Sequence, residues 1–497
     1  MNSKIYDLFC KNNKKKIINR ETALIFEDKK ISYFDLHLKS KTICENLSKD
    51  NKLLNKKIIV ALENTEKYVY LLLAASKLNI SLILVNPEIK ITQLNKIKKD
   101  SELMIVNKNN LKYFKENDVK MKILTIERLV LKKKNLKKIV NKKKRDYIIN
   151  YSSGSTGLPK EIIYTQELKI NRAKQLWSNI LSKKENKIIN YAPIYHSLGQ
   201  RLVFSSLLAS NQLILMRKFN FLEWEKNIEK YKVSILFPIS SHLNLLVNSL
   251  IKKKERFKSV EKIVGSSSQV TKRVKKIILK NYKNLFYDTY GAAEIAFASI
   301  LRPTDELSKN NSVGKVLKDV NIYIHKQNKK TKYGEICCNT KFLSRFTKKE
   351  KNNSLIFYKK KFFKTGDLGY LDKDKYLYFV SRSKDIIIKS GINIIPKNIE
   401  DIILEDKLIK KCAVIGVKDE IFGETPIAIC EMKKSKNNLK SKFEENLSYR
   451  LSKHLMPAKF FYVTKLKFLS TGKINKIYYK KKYSKLVINK GKASLFI

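Results

Sequence analysis

A chain of 497 residues is too long for one ordinary hydrophobic core, so two or more domains are expected. Apolar residues make up 43% and charged residues 30%, which is enough to bury real cores and excludes wholesale disorder. Lys and Arg number 105 against 45 Asp and Glu, giving a net charge of +60, but the excess is nearly all lysine and runs through the whole chain beside many Ile and Asn. Such drift is spent on solvated faces. No DNA- or RNA-reading signature accompanies it, so no specific nucleic-acid partner is expected and contact with an anionic membrane would be weak.

From the N-terminus, the first residues lack the apolar core of a signal peptide. Residues 57–62 read as a strand. The most apolar stretch, 68–85, is interrupted by Ser76, Lys77, Asn79 and Ser81 and is no membrane span; it reads as a helix over 68–78 and a buried strand over 81–85. Strands at 103–106, 123–126 and 147–151 alternate with helical stretches up to about residue 300, and a lysine-rich segment, 131–145, reads as a linker or solvated helix face. Short strands follow (321–325, 334–338, 376–380), and a mixed α+β segment comes after Asp385. A charged turn at Ser383-Lys384 suggests two domains, 1–383 and 384–497. The six cysteines form no C-x-x-C pair and no His-containing metal cluster, so reduced thiols and a cytoplasmic location are expected.

Glycine is scarce, 14 residues in the chain, and none precedes Gly154. In such a background the surviving glycines should sit where φ is positive or where the backbone approaches a ligand. Most fall in short segments that carry chemistry. The first is Tyr151-Ser-Ser-Gly-Ser-Thr-Gly-Leu-Pro-Lys160, where hydroxyls and free N–H groups packed around two glycines suit the oxygens of a polyphosphate. Its spacing is not that of the G-x-x-x-x-G-K-[ST] loop.

This segment resembles the phosphate-binding signature of the adenylate-forming superfamily, most closely its acyl- and aryl-CoA synthetases. Further matches follow in the family's order: Ala192-Pro-Ile-Tyr-His-Ser-Leu-Gly199, Asp288-Thr-Tyr-Gly-Ala-Ala-Glu294, Thr365-Gly-Asp367, Ser381-Arg-Ser-Lys-Asp385 running on to Gly391 and Glu400, and Ser470-Thr-Gly-Lys473. The resemblance implies an α/β fold: a large N-terminal domain of two doubly wound sheets plus a small β-barrel, and a small mobile α+β C-terminal domain. It also implies ATP, Mg²⁺ and CoA.

By that resemblance Ser152, Ser153, Gly154, Ser155, Thr156, Gly157 and Lys160 cradle the β/γ-phosphates, and Glu294 is the Mg²⁺ ligand, a hard oxygen donor for a hard cation. Gly265, Ser266 and Gly291 line the nucleotide site, where Tyr290 stacks on adenine and Asp288 accepts from its amino group. Asp367 takes the ribose hydroxyls. Arg382 offers its donor fork to ribose and phosphate. Lys473 bridges the substrate carboxylate and the α-phosphate, His196 gates the carboxylate pocket, Lys384 is the hinge and Gly391 lines the pantetheine tunnel.

The implied reaction is ATP-dependent ligation of a fatty or aryl acid to CoA through an acyl-adenylate, releasing AMP and pyrophosphate. One alternative acceptor is a carrier-protein phosphopantetheine, and a second alternative is a non-catalytic nucleotide-binding protein. Amino-acid substrates are disfavoured, because no carboxylate stands between Tyr191 and Phe219 to hold an ammonium group. Ala293, Glu161, Ser381 and Lys467 depart from the family's usual residues.

Overall fold

The computed structural model describes residues 4–48, 57–98, 101–117, 119–131, 146–152, 160–181, 186–266, 270, 272–326, 331–346, 348–433, 437–469, 473–484, 486–489 and 492–495. Two sheets build the N-terminal part. The first runs Lys122–Thr125, Ser101–Val106, Lys57–Ala61, Leu82–Leu84, Ile148–Ser152 and Lys160–Tyr164, parallel except for the last, which returns antiparallel. The second has nine strands. Its parallel centre runs Phe286–Ala292, Lys262–Gly265, Ile235–Leu236, Lys187–Asn190, Gln212–Leu215 and Thr22–Phe26, with antiparallel strands at both edges.

Strand alternation explains why both sheets are buried on two faces. Ile58, Val60, Leu82 and Leu84 point into one core, while Ile59, Ala61 and Ile83 point into another. In the nine-stranded sheet Leu24, Ile188, Leu213 and Leu215 enter that same first core, and Ile25, Ile189 and Ile214 face a third. The shared core is therefore a helical layer between the sheets. Helix Glu66–Leu78 lies in it, capped by the Thr65 hydroxyl at the Tyr68 N–H and closed by Asn79 at φ 59°. Ten of its residues are buried, as expected for a helix covered on all sides.

The region expected as a small β-barrel is a five-stranded antiparallel sheet, with Phe362–Leu371 pairing on one side with Gly334–Thr340 and on the other with Phe357–Tyr358 and Leu377–Arg382. A 3₁₀ turn, Ser383–Asp385, leads to Ile387–Lys389, the first strand of a seven-stranded C-terminal sheet. The long hairpin Ile409–Asp419 and Gly423–Met432 forms its centre. The segment 132–145 read as a linker lies outside the described residues. No described helix is long and apolar enough to cross a membrane.

Candidate active site

The chemistry-bearing segments follow the carboxyl ends of parallel strands: Ser152 ends one, the 192–199 segment follows Lys187–Asn190, and Gly265 and Tyr290 to Glu294 end two more. That is where open α/β sheets bind ligands.

The best-defined corner is built around Asp367, which is 4% exposed. Gly366 adopts φ 71°, a value that suits glycine, and the turn lets the Thr365 hydroxyl accept from the Asp367 N–H at 3.1 Å. The neighbouring strand pairs Arg382 directly opposite Asp367. Arg382 Nε lies 3.0 Å from Oδ1, and the Tyr290 hydroxyl donates to Oδ2 at 2.9 Å. The Arg382 N–H is not aligned as a hydrogen bond, so Oδ1 is a buried oxygen with an ion pair but no hydrogen-bond donor. It is an acceptor suited to a ribose hydroxyl. Burial pushes the carboxyl upward, while Arg382, the Tyr290 hydroxyl and Lys473 pull it back towards the ionised form.

Lys473 reaches this corner from the C-terminal sheet. The Leu469 N–H donates to the Lys473 carbonyl at 2.8 Å; Ser470, Thr471 and Gly472 lie outside the described residues. Arg382, Asp367, Asp385 and Lys384 all act electrostatically on the lysine. Burial pushes its ammonium downward and Arg382 and Lys384 add to that, while the two aspartates oppose it. The chain is thus folded with Lys473 within electrostatic range of Asp367, the carboxylate expected to take the ribose. Lys384, in the 3₁₀ turn, is exposed and its carbonyl accepts from Lys480 at 3.2 Å.

Glu294 follows strand Phe286–Ala292. Gly291 lies at a break in strand register, where a Cβ would sit 2.0 Å from the Ala296 carbonyl oxygen, so glycine is required for this turn. Burial raises the Glu294 carboxyl, its own backbone N–H, Arg172 and Arg382 lower it, and Asp367 raises it. Among the described residues no three His, Cys, Asp or Glu side chains form a metal cluster. A single carboxylate fits Mg²⁺ bound mainly through phosphate oxygens and water. Ala293 leaves no hydroxyl here; its carbonyl accepts from the Tyr164 hydroxyl at 2.9 Å.

His196 occupies the N-cap of helix Ser197–Leu208. Asn150 ties this turn to the first sheet, its amide donating to the Tyr195 carbonyl and its Oδ1 accepting from Gln200 at 3.1 Å. Burial pushes the His196 imidazole down to about 4, so the ring is neutral at pH 7, a hydrogen-bonding group and not a cation. Below the unperturbed value of about 6.5 the unfolded chain takes up a proton that the folded chain refuses until about pH 4, so stability falls as pH drops through that window. An NMR titration of the ring should give a midpoint near 4; a midpoint at 6 or above would contradict this placement.

The remaining candidate residues are placed as follows. Asp288, 5% exposed, has Oδ2 engaged by Lys275 at 2.7 Å, so any further acceptor role falls mainly to Oδ1. The Tyr290 ring is buried against Phe379 at 6.1 Å between centroids, and its hydroxyl serves Asp367. Gly265 pairs with Asp288 in register, and Ser266 is 3% exposed with a hydroxyl that has no hydrogen-bond partner. Gly391, at φ 76°, sits in a hairpin turn facing open space, with no heavy atom near its ideal Cβ position. Ser152 and Lys160 face each other across the strand pair. Ser153, Gly154, Ser155, Thr156 and Gly157, together with the side chains of Ser152 and Lys160, lie outside the described residues. Arg172 and Lys275 were not singled out in the sequence, because nothing but their three-dimensional partners marks them among 105 basic residues.

Comparison with known proteins decides the family. The AMP-binding enzyme model matches residues 13–345, and the model of the AMP-binding enzyme C-terminal domain matches 398–473. The chain belongs to the AMP-binding enzymes. A 2-succinylbenzoate–CoA ligase of Oceanobacillus iheyensis is 26% identical over 443 residues, covering 86% of this chain and 90% of the relative. The corresponding ligase of Listeria monocytogenes is 29% identical over 341 residues, covering 68% of this chain and 70% of the relative. In structure the fold matches the o-succinylbenzoate CoA synthetase of Bacillus subtilis solved with its acyl-adenylate, at TM-score 0.83 and 22% identity over 96% of this chain and 98% of that one. It also matches an anthranilate CoA ligase in complex with anthranoyl-AMP, at TM-score 0.82 and 17% identity over 97% of both chains. This AMP-binding enzyme is an AMP-forming acid–thiol ligase.

Proposed function

We propose that the protein joins an aryl carboxylic acid to the thiol of CoA through an acyl-adenylate. The convergence of Arg382, Tyr290 and Lys473 on the buried Asp367 supports this reading most strongly. In the first half-reaction a carboxylate oxygen of the acid attacks the α-phosphorus of ATP, and the bond to pyrophosphate breaks. Asp367 fixes the ribose, and Arg382 and Lys473 face the charge that grows on the α-phosphate. Mg²⁺ held by Glu294 and the phosphates would neutralise the leaving pyrophosphate. In the second half-reaction the thiol sulfur attacks the acyl carbon, AMP leaves with the bonding electrons, and the thiol proton passes to solvent. The C-terminal domain, residues 384–497, pivots at Lys384 between the two steps, withdrawing Lys473 and bringing up the Gly391 hairpin.

The aryl reading rests on the relatives, which are named for 2-succinylbenzoate. It favours aryl acids over fatty ones. A panel of aryl, fatty and short acids assayed for pyrophosphate release tests it, with free CoA and a phosphopantetheinylated carrier protein as alternative acceptors. Aryl acids, 2-succinylbenzoate among them, should be used at least about tenfold more efficiently than fatty acids, and CoA should be the acceptor. Preference for fatty acids, or for the carrier, would overturn the respective part.

A further inference from the structure

Arg172 lies in helix Gln166–Asn179 and is 2% exposed. No carboxylate among the described residues pairs with it. Its guanidinium donates to three backbone carbonyls: Nη1 to Ala293 at 2.7 Å, Nη2 to Glu294 at 2.6 Å, and Nε and Nη2 to Phe342 at 3.0 and 2.6 Å. The ring of Tyr164 stacks 4.7 Å from the guanidinium carbon, and its hydroxyl is the second donor to the Ala293 carbonyl. The Glu294 carbonyl likewise takes a second donor, the Ser344 N–H at 2.7 Å. Both peptide planes flanking the Glu294 Cα are therefore fixed, and with them the direction of its Cα–Cβ bond.

A buried guanidinium without a direct ion pair, the Glu294 carboxylate acting on it only at a distance, is an expensive way to brace a loop, because an apolar side chain of similar volume commonly folds as well. What the planar fork adds is geometry. It spans carbonyls on two separate segments, residues 293–294 and residue 342, which an ammonium cannot bridge in the same plane.

We propose that Arg172 is a positioning residue for the metal site: by clamping the Ala293–Glu294 backbone it aims the Glu294 carboxylate at the cation bound with the nucleotide triphosphate. The proposal rests on Glu294 being the metal ligand, and the experiment separates the two statements. Arg172→Lys keeps the positive charge but loses the fork. Mn²⁺ affinity is read by electron paramagnetic resonance in the presence of a non-hydrolysable ATP analogue, alongside analogue binding without metal and the melting temperature. Losing a residue that orients a ligand typically weakens metal binding about 10–100-fold. Arg172→Lys should therefore lower Mn²⁺ affinity about tenfold while metal-free analogue binding holds. Glu294→Gln should lower it at least as much, and the double variant should lose no more than Glu294→Gln alone, because both act through one carboxylate.

A lowered melting temperature with unchanged Mn²⁺ affinity, or losses that add in the double variant, would overturn the role of Arg172. Unchanged affinity in Glu294→Gln would instead overturn the metal role of Glu294. If Arg172→Lys does not fold, Tyr164→Phe supplies the test: removing one donor from the Ala293 carbonyl should weaken Mn²⁺ binding about threefold, again with no added loss in the Glu294→Gln background, and unchanged affinity there would overturn the clamp.

Discussion

Replacement of Lys473 by Ala lowers adenylate formation by about 10²-fold or more, the expected loss when a cation facing transition-state charge is removed. Lys473 feels the charges of Asp367, Arg382, Asp385 and Lys384, and in the proposed reaction it faces the α-phosphate from there. The same variant, supplied with pre-made acyl-adenylate and CoA, should form thioester at nearly the wild-type rate, because in the proposed alternation the lysine is withdrawn by then. Single-turnover assays of the two half-reactions read this directly. Replacing Lys384 by Pro should show the reverse pattern, since a fixed φ in the turn opposes the swing. Equal slowing of both steps by Lys473→Ala would make the lysine a general electrostatic residue and would remove the domain alternation.

Asp367→Ala should weaken ATP binding about 10²-fold and slow both half-reactions, because the ribose is held throughout. Two hydrogen bonds from ribose hydroxyls to a charged oxygen contribute about 1.5 kcal/mol each. The substitution also strands the Tyr290 hydroxyl, which now donates to Oδ2 at 2.9 Å, and leaves Arg382 without its counter-charge. Asp367→Asn separates these effects, since it preserves the shape but not the charge. Calorimetric titration with ATP checks the affinity, and unchanged binding in Asp367→Ala would remove the residue from the site.

Much of this site is legible in the sequence because its elements are local. Thr365-Gly-Asp367 is a bulge inside the strand Phe362–Leu371 whose glycine, at φ 71°, would be strained as most other residues, and it survives in a chain with only 14 glycines. Strand runs such as residues 57–61 and 82–84 announce themselves through unbroken apolar residues, because both faces of those strands are buried. What sequence could not show is pairing across distance. Asp288 and Tyr290 share a strand face, and the family resemblance implied that both met adenine. Lys275, on helix Lys272–Tyr282, takes one and Asp367 takes the other. Arg172 is silent in sequence for the same reason: its partners are carbonyls 121 to 170 residues away. The terminal hairpin, Leu486–Asn489 with Lys492–Leu495, was not distinguished as strands, because short lysine-flanked segments carry little apolar alternation.

The central claim, formation of an aryl-adenylate at the Asp367–Lys473 corner, is tested most directly by exchange of labelled pyrophosphate into ATP. With wild-type protein, Mg²⁺ and an aryl acid, label should enter ATP without any CoA present, and omission of the acid should abolish the exchange. Absence of acid-dependent exchange across the aryl panel, in protein that binds ATP, would contradict the account and leave a nucleotide-binding protein that does not activate acids.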